Sequence, residues 1–167
     1  MLNKEGLISQ AKDNARQNFR EGANCAESVV KAVYDTGIIN DFPSEIIALS
    51  PGFGGGIGQY GTICGALAGA TIAVGCVHGR QNPLNGTFEE RVSQLQGSQG
   101  LYRLFNNLPK NFVEKFGSCD CSLLTIDYKD NLGARERKRQ CLQYVIESAG
   151  MAIECIINGN EEGYTKR

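Results

Sequence analysis

The 167-residue chain has no tryptophan, one histidine, four prolines and no excess of either charge. Lys and Arg number 17 against 18 Asp and Glu, for a formal net charge of −1. A globally basic nucleic-acid binder is thereby excluded, because such a surface must neutralise many phosphates at once. No apolar run reaches the roughly twenty residues that span a membrane. The most apolar stretch, Ile63 to Val77, is rich in Gly and Ala and reads as a buried core helix. The opening Met1-Leu2-Asn3-Lys4-Glu5-Gly6 has no apolar signal segment, so a cytoplasmic, reducing location is expected. C-x-x-C is absent, which removes thioredoxin-type sites and zinc ribbons, and without C-x-x-C-H covalent haem is excluded. One histidine also argues against Rieske-type ligation, which needs two.

What the chain does have is cysteine, glycine and helical periodicity. Apolar residues make up 41% without counting the 21 glycines, and charged residues 21%, enough for a sizeable core in one domain covering residues 1–167. The expected fold class is all-α: a single-domain helical bundle of about five to six helices with a glycine-rich loop and frayed ends. A polar first helix is expected from about Ile8 to Phe19. Asn24 with Glu27 forms a capping-box signal for a second helix, Cys25 to Tyr34, burying Ala26, Val29, Val30 and Val33. A short third helix after Phe42-Pro43 carries Ile46, Ile47 and Leu49. The segment Pro51 to Gly61 is too glycine-rich for a regular element.

A fourth helix from about Thr62 to Val77 repeats Gly65, Gly69 and Ala73 every four residues, a small face that lets another backbone approach. Thr87 and Glu90 form a second capping box, opening a fifth helix that buries Phe88, Val92, Leu95, Tyr102 and Phe105 as far as Pro109. A turn follows at Gly117 to Cys121. The last helix, about Ala134 to Ile157, aligns Val145, Ala149, Ala152 and Ile156.

Helix geometry sorts the seven cysteines. Cys64 and Cys76 lie roughly 18 Å apart along one helix, and Cys141 and Cys155 roughly 21 Å apart along another, so neither pair can meet at one centre. Cys25 and Cys64 fall in first helical turns, where the helix N-terminus should favour the thiolate. Cys76 and Cys155 sit in apolar stretches and read as packing residues. Cys119 and Cys121 flank Asp120 in a turn. Cys141 follows Arg137 and Lys138 by one turn, and these cations are either partners of a thiolate or a solvated face. His78 reads as a surface or helix-end residue.

Asn24-Cys25-Ala26, the glycines Gly52 to Gly56, Cys64-Gly65-Ala66-Leu67-Ala68-Gly69-Ala70, Phe116-Gly117-Ser118-x-x-Cys121 and Cys141 resemble, in order, the C_GCAxxG_C_C redox family. The resemblance runs from about Asn14 to Ile157. It implies Cys25, Cys64, Cys121 and Cys141 as the four signature cysteines and leaves Cys76, Cys119 and Cys155 without counterparts. Cys119 remains an alternative to Cys121 at their shared turn. The family is also similar to the non-haem part of split-Soret cytochromes. That similarity implies an iron–sulfur site and favours a homodimer; a [2Fe-2S] cluster is expected ahead of [4Fe-4S], with a redox protein as partner. Four thiolates from four elements suit Cys₄ ligation in a helical bundle.

Gly56-x-Gly58-x-x-Gly61 matches a dinucleotide fingerprint in letters only, since a helix precedes it and Gln81 and Asn82 stand where an acidic residue belongs. No Gly-Lys-Ser/Thr follows either. Gly54, Gly55, Gly56 and Gly65 are instead expected to bring backbone N–H groups to the cluster, a flexible linker being the alternative. The expected function is iron–sulfur redox or electron transfer. Two alternatives are a thiol–disulfide module using a reversible cysteine pair and a structural zinc site closing the bundle. No nucleic acid or membrane partner is expected. The small face of the fourth helix admits either a neighbouring helix of the chain or the same helix of a second subunit.

Overall fold

The computed structural model describes residues 3–164. Of the frayed ends expected at both termini, residues 1–2 and 165–167 lie outside the described residues. The architecture is all-α, and among the described residues the β structure is one isolated antiparallel bridge between Ile63 and Asp120. No helix among them is long and apolar enough to cross a membrane.

Four helices make the body: α1 (Lys4–Arg20), α2 (Cys25–Tyr34), α3 (Gly65–His78) and α8 (Arg135–Glu161). α2 and α8 each pack against both α1 and α3 and touch each other between them. α1 starts four residues before Ile8 because the Asn3 side chain caps it, accepting from Gly6 N–H at 2.8 Å. α2 has the expected limits. Asn24 Oδ1 accepts from the N–H groups of Ala26 and Glu27, and the Glu27 carboxylate accepts from Asn24 N–H at 2.8 Å. The Val145, Ala149, Ala152 and Ile156 stripe of α8 is fully buried, as its spacing predicts.

α3 is buried almost all round. Its small face is filled from within the chain: a Cβ at Gly69 would stand 2.7 Å from Ala26 O on α2. This face is therefore closed to the same helix of a second subunit, and the neighbouring-helix reading holds.

The expected fifth helix is three helices, α4 (Phe88–Gln96), α5 (Leu101–Phe105) and α6 (Asn107–Phe116). The Thr87–Glu90 capping box forms, with Thr87 N–H donating to Glu90 Oε2 at 2.7 Å. A turn through Gly97 to Gly100 then resets the register. Leu101, Leu104, Leu108 and Phe112 face the core, while Phe88, Val92 and Tyr102 are exposed and Leu95 and Phe105 only partly buried. Pro109 lies in the first turn of α6, where its missing N–H costs no helical bond. The short element after Pro43 is a 3₁₀ helix, Ser44–Leu49, that buries Ile46 and leaves Leu49 exposed.

His78 ends α3 but is fully buried, contrary to a surface position. Gly159 of α8 makes room for it, since a Cβ there would lie 2.7 Å from the ring, whose Nε2 is 3.0 Å from Ile156 O. Tyr164 packs edge-on against the imidazole.

Candidate functional site

The glycine segment enters as a 3₁₀ turn, Pro51–Phe53, and then turns left-handed. Gly55, Gly56, Ile57, Gly58 and Gln59 all have positive φ, between 58° and 75°. Ile57 is a β-branched residue in that region and stores strain. Internal bonds hold the segment: Gly58 N–H donates to Gly52 O at 2.9 Å, Gln59 N–H to Gly54 O at 3.0 Å, and Thr62 Oγ1 to Gly56 O at 3.1 Å.

The chain leaving this loop pairs with the turn after α6. Cys64 N–H donates to Cys119 O at 2.8 Å, Cys121 N–H to Thr62 O at 2.6 Å and Ser122 N–H to Gly61 O at 2.9 Å. This short ladder ties the segment carrying Cys64 to the segment carrying Cys121. Gly56 is obligatory behind it, because a Cβ there would stand 2.6 Å from Thr62 N and 2.8 Å from the Cβ of Cys121. Cys121 opens α7 (Cys121–Leu124), capped by the Asp120 carboxylate, which accepts from Leu123 N–H. Asn24 serves two elements: it caps α2 beneath Cys25, and its Nδ2 donates to Pro51 O at 2.9 Å, tying the glycine loop to that helix.

Four elements thus deliver Cys25, Cys64, Cys121 and Cys141 to one cavity of about 440 Å³, far beyond the ~30 Å³ share of one water molecule. Arg137, Lys138 and Tyr144 from α8 line it too. Gly54, Gly55 and Gly65 also reach the cavity wall, whereas Gly56 supports Cys121 without lining it. Cys119 is outside the lining and contributes its carbonyl to the ladder. Cys76 and Cys155 are buried in the core at the other ends of α3 and α8.

The electrostatics depart from expectation at two thiols. Burial pushes Cys64 up to about 12, although the N–H groups of Leu67 and Ala66 at the α3 N-terminus pull the other way. Cys25 is also raised, first by its hydrogen bond with Cys141 and then by burial. At Cys64 desolvation outweighs the helix N-terminus, and at Cys25 the bond to Cys141 comes before burial, so neither thiol is favoured as the anion in the way its helix start suggested. Cys141 is the thiol that gains. The bond from Cys25 lowers it to about 7 against the cost of burial, and Arg137 adds to the lowering. Read as a pair, Cys25 S–H donates to the Cys141 thiolate. Cys121 is raised by burial and by Cys141, with Arg137 opposing. Among the described residues, no group of three or more His, Cys, Asp or Glu side chains is placed to hold a metal ion.

Sequence reasoning missed Tyr144 and Thr125. Tyr144 stacks edge-on with Phe116 at 4.8 Å and its hydroxyl donates to Leu124 O at 3.3 Å, while Thr125 Oγ1 donates to Cys121 O at 2.7 Å. The spacing of Tyr144, three residues after Cys141 on a helix, was the available signal; Thr125 had none.

A family described as "Putative redox-active protein (C_GCAxxG_C_C)" matches residues 23–155 of the chain. An uncharacterized protein of Archaeoglobus fulgidus is 26% identical over 151 residues, covering 88% of this chain and 93% of its own. No solved structure matches.

Proposed function

The chain belongs to the C_GCAxxG_C_C redox family, and from that premise we propose that it is a small iron–sulfur redox and electron-transfer protein. Cys25, Cys64, Cys121 and Cys141 are the proposed ligands of a cluster, [2Fe-2S] ahead of [4Fe-4S]. The observation that carries this reading is selection: of seven cysteines, the cavity takes four, one from each of four separate elements. Four sulfur donors around a shared space suit a multi-iron centre. The cluster would supply one-electron chemistry. The chain's own part is to hold four sulfurs on braced elements, to cover them with the glycine loop, and to set Arg137 and Lys138 beside their charge.

Anaerobic purification or reconstitution, with iron, acid-labile sulfide and zinc analysis, tests the proposal. A coloured protein with iron and sulfide in stoichiometric amount is expected. A colourless protein with stoichiometric zinc contradicts it.

A second reading is a thiol–disulfide module, favoured by the hydrogen bond between Cys25 and Cys141. Metal-free protein with a titratable dithiol would support that reading instead. We further propose a homodimer exchanging electrons with a redox protein partner in the cytoplasm. Because α2 fills the small face of α3, the dimer contact lies elsewhere, and sedimentation of the wild type tests assembly.

A further inference from the structure

Arg137 lines the cysteine cavity one helical turn before Cys141, and its hydrogen bonding is incomplete. Nη1 donates to Leu132 O at 2.9 Å, which tethers the guanidinium to the approach of α8. Its Nε, by contrast, is closed off from solvent and has no acceptor. A buried N–H without a partner is costly, and an arginine presents its donors in a fixed fork that matches an anionic acceptor. The cavity supplies such acceptors, because sulfur ligands are thiolates when they hold a metal and carry net negative charge around a cluster. Lys138, the other cation of the lining, is exposed and free to be solvated.

We propose that Arg137 is the positioning residue of this site, its Nε–H donating to the sulfur-bound anionic group and its charge raising the reduction potential of what the cysteines hold. This rests on the iron–sulfur reading above. Reduction adds negative charge, so a fixed cation at the cavity wall stabilises the reduced form more than the oxidised one. Gln140 Oε1, on the next turn of α8, is also buried without a partner. If it were the true acceptor, Arg137 would serve stability alone.

Two readouts separate these roles. In metal-free, reduced protein at one fixed pH, Cys141 is alkylated with iodoacetate and with iodoacetamide and followed by mass spectrometry. The rate ratio of these two reagents cancels the thiolate fraction and reports the local field. Arg137→Gln, and Arg137→Met as a second uncharged variant, should lower the ratio several-fold, while Arg137→Lys retains most of it. An unchanged ratio in a folded uncharged variant overturns the proposal. In iron-loaded protein the midpoint potential should move to more negative values in the uncharged variants and recover in part with Arg137→Lys. Full iron content with an unshifted potential and reduced thermal stability would assign Arg137 to Gln140 and overturn it equally. If the wild type takes up no iron or sulfide, the iron–sulfur reading fails by itself, and the alkylation ratio still decides whether Arg137 acts on the chamber.

Discussion

Cys141 and Cys155 sit on one face of the same helix, and they are different chemical groups. At the N-terminal end of α8, Cys141 faces a cavity, accepts a hydrogen bond from Cys25, has Arg137 one turn away, and is lowered to about 7. At the other end, Cys155 points its thiol at Leu104 O, 3.7 Å away, and burial, followed by Glu162 and Glu154, pushes it up to about 12. α3 repeats the contrast in position but not in acidity: Cys64 lies at the cavity and Cys76 and His78 in the packed core, yet burial pushes Cys64 up to about 12. The two helices pack side by side, each with one cysteine at the cavity and one in the core. Residue type is equal at both ends, so the surroundings decide which cysteines do chemistry.

Serine substitution breaks the comparison most severely. Cys25→Ser, Cys64→Ser, Cys121→Ser or Cys141→Ser should each abolish or strongly alter the visible cluster spectrum and lower bound iron. Cys76→Ser and Cys155→Ser should keep both and cost roughly 1–3 kcal/mol of stability, the penalty of a poorly satisfied buried hydroxyl. Cys119→Ser should also keep its iron. The reverse result at that turn, iron lost with Cys119 and kept without Cys121, would move the ligand assignment by two residues.

Glycine substitutions come next. Gly56→Ala places a methyl 2.6 Å from Thr62 N at a φ of +75°, against backbone that has no room to give. We expect loss of several kcal/mol or failure to fold, read by thermal melting, on the scale of an overpacked and strained site. Gly58→Ala has a similar φ, +58°, but open space around it, and should cost only about 1–2 kcal/mol. Equal losses at the two positions would mean that the brace behind Cys121 is unimportant.

The thiol contrast has a pH signature in metal-free protein. Cys141 alkylation should rise as pH passes through about 7 and level off above it, because the thiolate is the nucleophile. Cys155 should stay unmodified throughout that range unless the protein unfolds. Smallest is the surface effect at Glu147, whose carboxylate pairs with Lys12 and Lys115 at 3.0 and 2.7 Å. Burial alone would raise it, but the two lysines hold it below the ordinary glutamate range. Its contribution is therefore present above the unfolded value of about 4.3 and lost as pH falls. Wild type and Glu147→Gln should differ by at most about 1 kcal/mol near neutral pH and converge in acid.

How far the sequence announced this arrangement depends on the range of the interactions involved. α2 was legible to the residue because its start is a local device, Asn24 reaching Glu27, and its burial follows helical period. The α8 stripe was legible for the same reason. The α4 to α6 region was not, because the apolar spacing continues plausibly across Gly97 to Gly100 while the backbone breaks there. The segments that carry Cys64 and Cys121 are joined by a bridge between Ile63 and Asp120, 57 residues apart, and such pairing leaves no periodic trace. Family resemblance supplied that association where spacing could not. The acidity of Cys64 was misjudged because a helix N-terminus is visible in sequence and desolvation is not, whereas the Arg137 effect on Cys141 was legible from its one-turn spacing.

Anomalous diffraction at the iron edge from crystals of the iron-loaded protein would locate the metal itself. An iron peak is expected inside the cavity, within bonding distance of the Cys25, Cys64, Cys121 and Cys141 sulfurs. Iron bound outside that cavity, or held through Cys119, Cys76 or Cys155, would contradict that placement.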